Sequence, residues 1–137
     1  MKNENLVKDW LEFADMDAKL ANFTFENMHP KPLEIICYHC QQAAEKMLKA
    51  LLIASSENDD IPKTHDLALL ADLLSEKFEI DTMIYNACSD LTPYGVKVRY
   101  PKEIRVDEPM TQKALFDMKK VCNWCKESIS HLDTLQN

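Results

Sequence analysis

Between Tyr38 and Ala54 the sequence YHCQQAAEKMLKALLIA, free of glycine and proline, interleaves His39, Gln41, Gln42, Glu45, Lys46 and Lys49 with apolar residues. Glu45 and Lys49 stand four apart with the acid first, the order that favours a helix ion pair, and Tyr38 and Gln41 continue the same line. On spacing alone this is a solvated helix face, worth a few tenths of a kcal/mol per pair. The rival reading is one wall of a binding site. A second concentration of chemistry lies further along. The chain has fourteen lysines and two arginines, and both arginines, Arg99 and Arg105, fall within seven residues beside Lys97, Tyr100 and Lys102. Arginine suits bidentate phosphate contacts and tyrosine can stack on a base, so a local basic patch is expected there; an interface or salt-bridge role for Arg99 carries equal weight. His65, in KTHDL beside Asp66, has the types needed for a phosphate ligand or an acid/base group near a helix N-terminus, although capping and loop anchoring explain the pair as well. His29, His39 and His131 have no such context.

Two Cys-x-x-Cys pairs, Cys37 with Cys40 and Cys122 with Cys125, raise zinc chemistry. Both pairs fall on apolar stripes inside uninterrupted helical patterns, with no Gly or Pro turn to wrap a metal, so buried packing is the expectation and a metal site is not. A redox role is weaker still, because no strand precedes either pair. Five cysteines, Cys88 being the fifth, form an odd set that suits reduced thiols in a cytosol better than a disulfide framework.

These residues must be positioned by helices. The composition is 46% hydrophobic and 28% charged with a single glycine, which predicts one all-α domain over residues 1–137. A formal charge of −7 disfavours a sequence-independent grip on nucleic-acid backbone. The first ten residues lack the apolar core of a secretory signal and no apolar run approaches a membrane span, so a cytoplasmic protein with no membrane association is expected.

A first helix is predicted from Asn5 to Asn27, with Val7, Leu11, Ala14, Ala18, Ala21 and Phe25 on one face and Trp10 and Phe13 broadening it. Asp17, one turn past Phe13, would need a partner if buried. His29, Pro30 and Pro32 break this helix. A second runs from Leu33 to Ser55 and turns Ile36, Cys40, Ala43, Met47, Ala50, Leu51 and Ala54 to the core. After a solvated loop, Thr64 is expected to cap a short helix ending near Phe78, with Leu67, Leu70, Leu73 and Leu74 buried. Asp81 caps the next, which buries Met83, Ile84, Ala87, Cys88 and Leu91 before Pro93 and Gly95 disturb it. Thr111 is expected to open the last helix, carrying Leu115, Met118, Cys122, Cys125, Ile129 and Leu132. Three long and two shorter helices make an up-and-down bundle.

The blocks WLEFADMDAKLA, QQAAEKMLKALL, PKTHDLALLADLL and LTPYGVKVRYP together resemble the HEPN domain, the higher eukaryotes and prokaryotes nucleotide-binding helical bundle, over nearly the whole chain. The resemblance implies about five helices, a homodimer, and a polar cleft near its two-fold axis. It also implies one of two branches: ribonucleases, or non-catalytic members associated with nucleotide binding or with a minimal nucleotidyltransferase partner. The ribonuclease branch carries an arginine followed after four to six residues by histidine. Here Arg99 is followed at that distance by Ile104, Arg105 and Val106, and Arg105 by Met110, Thr111 and Gln112. The pattern is absent, which points to the non-catalytic branch. The positions carried over from the family are Asp17, Gln42, Glu45, Lys49, His65, Asp66, Arg99 and Tyr100. Gly95 stands where a bulkier residue is expected between LTPY and VRYP.

Three functional expectations follow, the first being a non-catalytic dimer that binds a nucleotide such as ATP or GTP, or a polyphosphate, through Arg99, Lys49 and His65, with Tyr100 against the base and no resident cofactor. In the second the chain is an interaction module, one half of a toxin-antitoxin-like pair with a nucleotidyltransferase. The third, a divergent ribonuclease using His65 and Arg99, lacks an identifiable second acid/base group.

Overall fold

The computed structural model describes residues 3–56, 60–95 and 105–136, the last four as backbone only. Five α-helices follow in order: α1 Glu4–Asn27, α2 Leu33–Ser55, α3 Leu67–Leu74, α4 Thr82–Leu91 and α5 Glu108–Gln136, with a 3₁₀ turn at Thr92–Gly95 continuing α4. Among the described residues there is no strand. The all-α bundle of three long and two shorter helices is the architecture expected from the apolar periodicity.

α2 is the central element, packed against α1 and α5 and also against α3, α4 and the 3₁₀ turn. Its sequence explains that place. Fourteen of its residues are buried, spread over more than one face, as a helix enclosed by neighbours requires. All seven residues expected to face the core do so: Ile36, Cys40, Ala43, Met47, Ala50, Leu51 and Ala54. α1 is amphipathic in the ordinary sense, burying Val7, Ala14 and Ala21, with Leu11, Ala18 and Phe25 partly covered. The small alanines let it lie close against α2. Phe13, expected on the buried face, points the other way and is 57% exposed.

The boundaries differ from the sequence reading in three places, and the burial of two residues differs as well. Asp66, not Thr64, caps α3: its carboxylate accepts from the Ala68 and Leu69 N–H groups at 3.0 and 3.3 Å, while Thr64 accepts only from the Asp66 N–H. α3 ends at Leu74 rather than near Phe78, since Ser75, Lys77 and Phe78 fold back on its last carbonyls. Two turns bury only one face, so Leu73 is exposed, as is Met83 on α4. Finally, α5 starts at Glu108. Asp107 accepts from the Met110 N–H at 2.8 Å, and Thr111, expected at the helix start, is a fully buried hydroxyl that donates to the Asp107 carbonyl. Asp81 caps α4 as expected, accepting from the Ile84 N–H.

All five cysteines are free and buried. Burial pushes the Cys37 thiol up to about 11, even with its hydrogen bond to the Thr111 hydroxyl, and the Cys88 and Cys122 thiols up to about 12. The Cys40 and Cys125 thiols are raised by the same desolvation. They pack as small protonated hydrophobes.

Candidate functional site

Gln41, Glu45 and Lys49 repeat every four residues, so they stack on one stripe of α2. The stripe is not a solvated face. Gln41 is fully buried, Glu45 is 4% exposed and Lys49 7%, which overturns the solvated face expected from spacing. Charges withdrawn this far from water need partners, and here each one has them. Glu45 Oε2 takes the Lys49 ammonium at 3.1 Å. Glu45 Oε1 accepts from Gln41 Nε2 at 3.1 Å and meets His65 Nδ1 at 2.8 Å. An ionised carboxylate can only accept, so Nδ1 donates to it and Nε2 is the ring nitrogen outside this bond.

The chain reaches this arrangement through the segment before α3. His65 itself is 57% exposed at the side chain, but its carbonyl is tied down by Gln41 Nε2 at 3.1 Å. Asp66, capping α3, and Thr92 Oγ1, which accepts from the Leu67 N–H at 3.1 Å, fix the same segment from both sides. Gln41 Oε1 in turn accepts from Gln42 Nε2 at 2.8 Å, so the buried amide is satisfied at both ends. The Trp10 ring lies 6.0 Å from the Lys49 ammonium and closes the wall from α1.

A second polar cluster joins α1 to α2. Asp17 Oδ1 meets His39 Nδ1 at 2.9 Å and Asp17 Oδ2 accepts from Lys46 Nζ at 2.5 Å, which supplies the partners that a largely buried carboxylate requires. Lys46 and Asp17 also edge a shallow groove of about 570 Å³ on the outer face of α1, whose apolar floor is Phe13, Met16, Leu20 and Phe23. Among the described residues no three His, Cys, Asp or Glu side chains come together as metal ligands. No helix among them is long and apolar enough to cross a membrane.

The structure therefore brings together Glu45, Lys49 and His65 directly, with Gln42 joined through Gln41. Asp66 adjoins them, its carboxylate engaged as a helix cap. Asp17 stands in the separate α1–α2 cluster. Arg99 and Tyr100, with Lys97 and Lys102, lie outside the described residues; Arg105 is exposed ahead of α5. Sequence reasoning left out His39, Gln41 and Trp10 as site residues. His39 lies seven residues before Lys46 on the same face of α2, a spacing that was available, but only the packing of α1 on α2 brings Asp17 to both.

Residues 7–128 match the HEPN domain family. The chain belongs to the HEPN family. Solved structures share its fold. TT1696 from Thermus thermophilus superposes with a TM-score of 0.76 at 23% identity, covering 89% of this chain and 97% of that one. ST0689, an archaeal HEPN homologue, superposes with a TM-score of 0.68 at 22% identity, covering 90% and 97%. No curated protein matches the chain. Three of the sequence blocks that resembled HEPN fall within α1, within α2 and across the start of α3, and the fourth begins at the end of α4 and runs through the 3₁₀ turn, its residues 96–101 lying outside the described residues; Glu45, Lys49 and His65 thus come from these blocks.

Proposed function

We propose that this HEPN protein binds a nucleotide or polyphosphate, without cleaving RNA, at the wall formed by α2 and the start of α3. The observation that carries the reading is Glu45, a buried carboxylate whose two oxygens hold a lysine and a histidine side by side. Its own charge would repel phosphate, so its role is orientation: Lys49 neutralises it, and His65, the exposed member, keeps Nε2 outside the Glu45 bond and available to a ligand. Arg99 supplies the bidentate phosphate contact and Tyr100 the base contact, with Gln42 and Asp66 framing the site from α2 and the α3 cap. The role is non-catalytic because neither arginine has a histidine at the ribonuclease spacing. ATP and GTP are the candidate ligands. Calorimetric titration with each, with and without magnesium, tests this: saturable heat lost in Arg99→Ala and His65→Ala supports it, and no heat from the unaltered protein contradicts it.

The same reading makes the protein a cytoplasmic homodimer. Five buried free thiols suit a reducing compartment. The outer face of α1 suits a second copy: Phe13, Met16, Leu20 and Phe23, spaced three, four and three apart, are 47–66% exposed. In an antiparallel pairing Phe13 meets Phe23 of the other copy and Met16 meets Leu20. Together these side chains present on the order of 400 Å² of apolar surface, the size of patch that often marks an interaction site. Covering both copies removes roughly 800 Å², and a polar rim carries the contact toward the ~1,200 Å² of a stable interface.

That same apolar row favours one second reading, an interaction module whose partner is a small nucleotidyltransferase in a toxin-antitoxin-like pair. Sedimentation separates the two: a dimer of the isolated chain supports self-association, and a monomer that becomes a heterocomplex with the neighbouring gene's product supports the second.

A further inference from the structure

Gly95 is the only glycine in the chain and the last residue of the 3₁₀ turn. Its backbone has no positive φ, so conformational freedom does not explain it. Space does. A Cβ placed on Gly95 would stand 2.5 Å from the Gln41 Cδ, 2.6 Å from its Nε2 and 2.8 Å from its Oε1. Such contacts are tolerable when the neighbour is the loose end of a flexible side chain. The Gln41 amide is not loose: it is fully buried and bonded to Glu45, to the His65 carbonyl and to Gln42. Any movement of the amide to admit a methyl group breaks one of these bonds, and two of the three belong to the residues that hold the site.

We propose that Gly95 is present to let the 3₁₀ turn close directly over the Gln41 amide, and that Gln41, clamped in this way, is the positioning residue that orients the Glu45 carboxylate and fixes His65. This rests on reading the Glu45, Lys49 and His65 wall as the ligand site, and names two further residues on which its geometry depends. The connection is reinforced by Thr92, at the other end of the same turn, which accepts from the Leu67 N–H and so ties the turn to the His65 segment a second time. A glycine is thus required by a buried amide across the bundle, fifty-four positions earlier in the chain. The turn and the site move together: anything that lifts the turn frees Gln41, and anything that turns Gln41 releases both Oε1 of Glu45 and the backbone of His65.

The test is a double-mutant cycle of Gly95→Ala and Gln41→Ala, read on thermal stability and on the His65 ring resonances followed by NMR at fixed pH. Truncating Gln41 removes the obstacle, so Gly95→Ala is expected to lower stability and displace the His65 ring resonances in the unaltered background, and to add little in the Gln41→Ala background. Nucleotide affinity is expected to fall roughly tenfold in either single variant, the scale of one lost hydrogen bond to a charged group. If Gly95→Ala does not fold but the double variant does, the coupling is supported all the same. A folded Gly95→Ala protein with unchanged His65 ring resonances overturns the proposal, as do strictly additive effects or failure of both variants to fold. Absence of nucleotide binding to the unaltered protein would remove the ligand reading while leaving the His65 readout of the coupling intact, so the two failures are distinguishable.

Discussion

Replacing Lys49 with methionine separates the buried stripe from a solvated one by magnitude. Methionine keeps the length and apolar volume of the lysine stem and removes only the ammonium. For a solvated pair at this spacing the loss is about 0.3–0.5 kcal/mol. Here the Lys49 and Glu45 side chains are 8% and 6% exposed, and removing one member of a buried pair strands the other charge, at about 3–5 kcal/mol. Glu45 would keep its bonds to Gln41 and His65, which puts the expected cost at the lower end, about 3 kcal/mol, or roughly a 10 °C drop in Tm for a domain of this size. Urea unfolding of Lys49→Met, Glu45→Gln and the double variant gives the coupling directly. The double is expected to be less destabilised than the sum of the singles by about 1–2 kcal/mol, because neutral glutamine no longer needs the ammonium. A cost below about 1 kcal/mol for Lys49→Met, with additive behaviour in the double, would refute the assignment of this stripe as a desolvated charge network.

Asp17→Asn, which leaves Lys46 and His39 without their shared carboxylate, is expected to cost about 1–3 kcal/mol by chemical denaturation, and a neutral result would mean the α1–α2 cluster contributes nothing. Leu20→Glu, placed in the middle of the exposed apolar row, is expected to shift the protein from dimer to monomer in sedimentation while leaving Tm at low concentration unchanged; an unaltered mass would move the interface elsewhere. The buried thiols set a pH dependence: they stay protonated in the fold at values of about 11 to 12, against 9.0 for an unconstrained thiol, so stability is complete below pH 9 and declines as pH rises through 9 to 12. At pH 10 each of Cys37, Cys88 and Cys122 withdraws about 1 kcal/mol. A Cys88→Ala/Cys122→Ala protein should therefore lose less between pH 8 and pH 10 than the unaltered chain, and an equal loss in both would contradict the assignment.

The long helices were legible because their signals are local. α2 begins at Leu33 and ends at Ser55 where Pro32 and the polar loop dictate, and α1 differs from the periodicity by one residue. The short helix was misjudged at both ends, since two neighbouring residues, Thr64 and Asp66, can each cap, and the choice between them depends on which N–H groups the fold presents. The polar stripe was visible as a stripe but read as solvated, because the residues that cover it, Trp10, His65 and Gly95, come from three other segments. Nothing in the spacing of Gln41, Glu45 and Lys49 reports on them. Gly95 illustrates the same limit from the other side: its presence was noticed as a departure from the family pattern, yet its reason, a buried amide in contact distance, exists only once the turn after α4 is packed on α2.

The most direct test of nucleotide binding at the α2 wall is a backbone and histidine-ring NMR map of the protein titrated with ATP. Binding there predicts saturable shifts gathered at residues 41–49, at His65 and Asp66, and from Thr92 through Arg99. Shifts confined to the outer face of α1 between Phe13 and Phe23, or a spectrum that ATP leaves unchanged, would contradict it.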